Sequence, residues 1–175
     1  MVKMSFTITE DKKIQENGLR IIKLAQEKGE QVEGGKPFDL EPILFTTPPC
    51  IIADLKTDYS AGNFDVIEVG ENLWEDPSGT AWWNFCLDME AKCNSILDFL
   101  TAGGTIDADG IRAVVNRREP GEPKIYLKVK KTFLKDFLSN TPVGAPLRLI
   151  FRLNCVYINE KSKGMSFELI SATCK

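Results

Sequence analysis

Between Trp82 and Leu100 the apolar residues Trp82, Phe85, Cys86, Met89, Cys93, Ile96, Leu97 and Leu100 recur three or four positions apart. Side chains with that spacing line one side of an α-helix, so the run predicts a helix of about five turns with one buried face. Gly103 and Gly104 follow it, as glycine commonly does where a helix ends. Asp88, Glu90, Lys92, Asn94 and Asp98 fall off the stripe, toward solvent. A helix this long needs a partner surface to cover its apolar side.

The rest of the chain offers that surface as strands. Past residue 105 the hydrophobic period changes from helical to two. From Lys124 to Lys130 the residues Ile125, Leu127 and Val129 alternate with Lys124, Tyr126, Lys128 and Lys130. A long strand over 147–158 is expected to set Leu147, Leu149, Phe151, Leu153, Cys155 and Tyr157 against Arg148, Ile150, Arg152, Asn154 and Val156. A polar hairpin loop over 160–164 and a returning strand over 165–174 follow. Further strands are predicted over 50–55, after Pro48 and Pro49, and over 63–69, with a short one over 111–115. Residues 133–138 read as a short helical piece. At the N-terminal end Ile14, Ile21, Ile22 and Ala25 have helical spacing, predicting a helix over 11–28 closed by Gly29. A Gly- and Pro-containing loop over 29–42 would separate this N-terminal helical arm (1–42) from the main domain (43–175).

Composition narrows function. The 175 residues are 43% hydrophobic and 27% charged, as in an ordinary globular domain, and include no histidine. The usual general base, the usual partner of a Ser or Cys nucleophile and the commonest zinc ligand are therefore all missing. The expectation is a protein that is not an enzyme, with no catalytic residues, no metal and no cofactor. Cys50, Cys86, Cys93, Cys155 and Cys174 are odd in number and without C-x-x-C spacing, which points to reduced, mostly buried thiols in an intracellular protein. No apolar run approaches the roughly 18 residues of a membrane span, and the N-terminus lacks the pattern of a secretory signal.

Charge is divided along the chain. Residues 1–111 hold nine Lys and Arg against twenty Asp and Glu, a net of −11; residues 112–175 hold thirteen against five, a net of +8. The basic residues lie on successive strands and one loop: Arg112, Arg117, Arg118, Lys124, Lys128, Lys130, Arg148 and Arg152, with Tyr126 among them. Cations that track phosphates beside an aromatic face are what single-stranded nucleic acid requires. The plainer alternative is a solvated sheet face with lysines guarding an edge strand, its charge neutralised by the acidic half. Among the tryptophans, Trp82 belongs to the apolar stripe, whereas Trp83 and Trp74 can stack on a base, meet a partner or pack against a loop. Asp107 and Asp109 open like a calcium loop, but the twelfth position is Arg118, so a turn is expected. Glu71, Glu75 and Asp76 need no metal to explain them. The glycine pairs match no phosphate-binding motif.

From Gly144 to Leu169 a small-residue turn leads into a long strand ending in an aromatic, then a short polar loop with glycine, then an alternating strand. This resembles the closing hairpin of the OB-fold single-stranded-DNA-binding proteins of large DNA viruses and related phage. The resemblance implies an OB-like Greek-key β-barrel, mainly β, with one long packed helix. It also implies sequence-tolerant binding of single-stranded DNA or RNA in replication, recombination or repair. Arg148, Arg152 and Tyr157 would occupy groove positions, and Trp83 is a further candidate for stacking. Many members of that family carry an acidic C-terminal tail, which this sequence does not show. Two rivals stay open: a structural or assembly protein, such as a virion component, whose basic surface meets an acidic one through self-association of the N-terminal half; and a carboxylate- and metal-dependent nuclease.

Overall fold

The computed structural model describes residues 6–10, 20–28, 39–61, 63–71, 77–104, 111, 124–140, 145–159 and 163–174. Their strands are β1 (Phe6–Glu10), β2 (Arg20–Lys28), β3 (Asp39–Glu41), β4 (Leu44–Thr46), β5 (Cys50–Ala61), β6 (Phe64–Glu71), β7 (Ile125–Lys130), β8 (Leu147–Ile158) and β9 (Lys163–Cys174). Helix α1 (Thr80–Ala102) lies between β6 and β7, and α2 (Lys131–Asn140) follows β7 directly.

β8 organises the sheet. One of its edges pairs with β9 along its whole length. The other edge is shared by three partners over shorter stretches: β5 at Leu147, β4 at residues 150–152 and β2 at residues 156–158. The strand order is β1-β2-β8-β5-β6-β7-β9, with β3 on β2. All of these pairings are antiparallel except β7–β9.

Neighbour relations return on themselves through β8, β5, β6, β7 and β9, but the expected OB-like Greek-key barrel does not form. Two of the joints are one registered pair each, Cys50↔Leu147 and Lys128↔Glu168. β5 meets β8 only at the first residue of β8 and then runs past it. Pro146, just before that residue, has no N–H with which to extend the ladder. The result is a mixed sheet with partial ring closure.

The N-terminal helical arm is likewise overturned. Residues 20–28 are strand β2, and residues 11–19 lie outside the described residues. Ile21, Ile22 and Ala25 fit a helix, but Ile22 and Leu24 also fit a strand, and both are buried. Burying them between β1 and the end of β8 is a tertiary gain that local spacing does not register. The predicted loop over 29–42 contains β3; its residues 29–38, and all of the predicted strand over 111–115 except buried Ile111, are outside the described set.

The central helix forms as its spacing predicts. Trp82, Cys86, Met89, Cys93, Ile96, Leu97 and Leu100 are buried along α1. They face Ile67, Val69, Ile125, Leu127, Val129, Phe151 and Phe167 in one core. Phe151 is fully buried and joins three rings: Phe45 stacked at 5.1 Å, Phe85 of α1 edge-on at 6.2 Å, and Phe167 edge-on at 5.7 Å. Near the other end of α1, Phe99 meets Phe6 of β1 at 5.2 Å. The helix therefore ties the N-terminal strand to the centre of the sheet. Gly79 starts α1 with φ 67° and carries the Glu71 carboxylate against it, where a Cβ would collide. A negative group there suits the positive end of the helix. None of the helices among the described residues is long and apolar enough to cross a membrane. All five cysteines are free thiols, and Cys174 alone is exposed.

Candidate nucleic-acid interface

One face of β7 belongs to the core, so its alternation delivers Lys124, Tyr126, Lys128 and Lys130 to the other. Cross-strand partners in a sheet share a face. Lys128 stands opposite Val66 on β6 and Glu168 on β9, and Glu168 stands opposite Arg152 on β8. Arg152 in turn faces Leu44 on β4. Lys128 and Arg152 are thus in one row with a single strand between them, about 10 Å apart at the backbone. Lys130 lies farther along β7, and Arg148 lies four residues before Arg152 on β8, both on this face. Strands distant in sequence are therefore brought together as the basic-face expectation requires.

The face is not purely basic. Glu68 and Glu168 point to the same side and are only 5% and 7% exposed. Glu68 stands opposite Tyr126 and accepts an ion pair from Lys124 at 3.0 Å. Glu168 accepts a hydrogen bond from Arg152 Nη2 at 3.0 Å. The long Lys and Arg stems lie down over carboxylates they neutralise, leaving their outer parts in water. Lys128, Lys130 and Arg148 have no carboxylate partner among the described residues. Sequence reasoning missed Glu168. Its pairing with Arg152 depends on a bulge between Ile150 and Phe151, which no residue type announces.

A second bulge, between Leu153 and Cys155, reverses the expected alternation of β8. Val156 turns into the core and is fully buried, while Cys155 and Tyr157 move to the face of Arg152. Tyr157 thereby joins the cations, but its ring lies against Gly164 on β9, where an added Cβ would come within 2.5 Å of its hydroxyl. Cys155 stands opposite Ser166; burial pushes its thiol pKa up, while Lys128 and Lys23 pull it down.

Trp83 is 44% exposed but sits on α1, which covers the opposite face, so it does not join the cations. Arg112, Arg117, Arg118, Trp74 and the segment 107–110 lie outside the described residues. Among the described residues no three Cys, Asp or Glu side chains gather as a metal site would require. Chemically, the face offers unneutralised cations, a half-buried aromatic in Tyr126 and a row of directed ion pairs.

Set against known protein families, curated proteins and solved structures, the chain matches none. The OB-fold and barrel assignments fall with the sheet topology. The other labels that came with the viral and phage resemblance, those of a viral DNA-binding protein of DNA replication, find no support in these comparisons and are set aside. What remains to indicate the activity of this chain is the geometry of the face itself.

Proposed function

We propose that the chain binds single-stranded nucleic acid, DNA or RNA, without sequence preference, along the face shared by β7, β9 and β8. The observation that supports this reading best is the row holding Lys128 and Arg152, with unneutralised Lys130 and Arg148 beside it and Tyr126 next to Lys128. Cations at that spacing follow a phosphate backbone, and a half-buried Tyr ring stacks on any base at about 1–3 kcal/mol. Glu68 and Glu168 lower the net charge of the face, and their ion pairs fix where Lys124 and Arg152 stand. The activity is binding, with no bond made or broken. The test is fluorescence anisotropy of a labelled 30-nucleotide strand, with duplex as competitor, over a salt series. Micromolar or tighter binding that prefers the single strand and weakens steeply with salt is expected, and Lys128→Glu with Arg152→Glu abolishes it. No binding at low salt ends this reading.

A second reading, self-association, is favoured by one observation. Trp83 and Leu87 are one turn apart on the outer side of α1 and are 44% and 40% exposed. Glu90, three residues from Leu87 and seven from Trp83, lies on the same side of the helix, so the patch would suit a basic partner surface, including the cationic face of another copy. Sedimentation that shifts with concentration, and no longer does so in Trp83→Glu, is its signature.

A further inference from the structure

Among the described residues, two polar atoms on the cationic face are buried without a hydrogen-bond partner: Ser166 Oγ and Arg152 Nε. Ser166 is 8% exposed and lies on β9 two residues from Glu168, on the same side. Lys128 and Arg152 flank Glu168 on its two neighbouring strands. Ser166 is therefore a diagonal neighbour of both, about 7–8 Å away at the backbone and within reach of their side chains. Continuing the parallel register of β7 with β9 sets Tyr126 beside Ser166. Unpaired buried donors carry a free-energy penalty and call for a reason.

We infer that Lys128, Arg152 and Ser166 form a seat for one phosphate of the bound strand. Arg152 holds Glu168 through Nη2, which fixes the guanidinium and leaves Nε–H to donate elsewhere. Ser166 donates its hydroxyl proton, and Lys128 supplies charge. A phosphate has several acceptor oxygens and suits these three donors, while the Glu168 carboxylate between Lys128 and Arg152 is neutralised by its bond from Arg152. Cys155, buried opposite Ser166, keeps the floor of the seat dry, where hydrogen bonds are stronger than in water. Phosphate oxygens reach that floor once the long side chain of Lys128 swings aside, with Arg152 staying anchored on Glu168. Tyr126, next in line, is placed to receive the adjoining base. This seat rests on the single-strand reading and deepens it. It is the place where the backbone is held by directed hydrogen bonds and not by charge alone.

Ser166→Ala removes no charge and deletes a hydroxyl that has no partner in the free protein, so its melting temperature is equal to or above that of the parent. Its affinity for labelled dT30 is expected to fall about tenfold with an unchanged salt slope. Arg152→Lys keeps the charge and loses the Nε donor, and a similar loss is expected. Ser166→Ala binding dT30 as tightly as the parent overturns the seat and leaves the interface reading standing. If the parent does not bind dT30, that reading fails and the seat is judged with inorganic phosphate. A phosphate-induced rise in melting temperature that is missing in Ser166→Ala supports the seat, and no rise in the parent overturns it.

Discussion

Phe151 and Arg152 are adjacent on β8 and point to opposite sides of the sheet. Phe151 packs against Phe45, Phe85 and Phe167, drawn from β4, α1 and β9. That contact is non-directional and scales with the area removed from water. Arg152 makes one directed bond to Glu168, and its side chain remains 41% exposed. A partly exposed ion pair of this kind contributes little net stability, because solvent screens it and ordering two side chains costs entropy. The strand thus separates two tasks by alternation. One side holds the molecule together, and the other arranges charge at little cost to the fold.

The contrast is broken most sharply by deleting the inner ring. Phe151→Ala should lower the unfolding free energy by about 3–5 kcal/mol, since three facing aromatic rings cannot all collapse into the space. Denaturant titration checks this. Arg152→Ala in the same assay should cost less, about 1–2 kcal/mol, most of it from leaving the buried Glu168 carboxylate without its ion-pair partner. Equal losses in the two variants would mean that the outer row is structural.

The thiols sharpen the comparison through pH. On the core side, burial pushes Cys93 up to about 12 and Cys50 up to about 11. In the unfolded chain both ionise near the ordinary thiol value, so above it the unfolded state binds fewer protons than the folded one. Stability is therefore fully present below about pH 9 and falls as pH rises toward 11 and 12. The slope is about 1.4 kcal/mol per pH unit for each thiol. Cys93→Ala should flatten the fall measured between pH 9 and 11. Cys155, on the outer side, is held back by Lys128 and Lys23, so Cys155→Ala should flatten it less.

Glu168→Gln separates the two tasks within one residue. Its carboxylate is buried, while its partner is partly exposed, so losing the charge should cost about 1–2 kcal/mol of stability. The same change removes a negative charge from the proposed interface, and affinity for a labelled single strand should rise severalfold. A variant that is less stable yet binds more tightly is not expected of a purely structural ion pair.

How much of this was legible beforehand follows the same division. The α1 stripe and the inward residues of β7 were readable because burial in one element repeats with that element's own period. The barrel and the N-terminal helix were not. Both depend on which strand lies next to which, and β2 was decided by pairing with β1 and β8. The β8 alternation was readable as far as Leu153 and failed at Asn154, since one extra residue moves every later side chain to the other face. On the outer face the cations were visible as residue types. Their carboxylates were not, because Glu68 and Glu168 gain their meaning only from neighbouring strands.

The finest test concerns a cation that no carboxylate among the described residues holds. Lys130 is exposed at the end of β7, and its register partner on β6 is Phe64, which offers no charge. Lys130→Ala should leave stability within about 0.5 kcal/mol of the parent, as for surface substitutions generally. If Lys130 tracks a phosphate, its loss releases one fewer counterion. The slope of log affinity on log salt should then become shallower by about one, whatever the base sequence of the strand. Lys124→Ala makes the matching control. Lys124 already neutralises Glu68 at 3.0 Å, so its loss leaves that buried carboxylate without its ion-pair partner, and the penalty should fall on stability before it falls on the slope. Two lysines six residues apart in one chain segment would then differ because one is held by a carboxylate and the other is free to meet a phosphate.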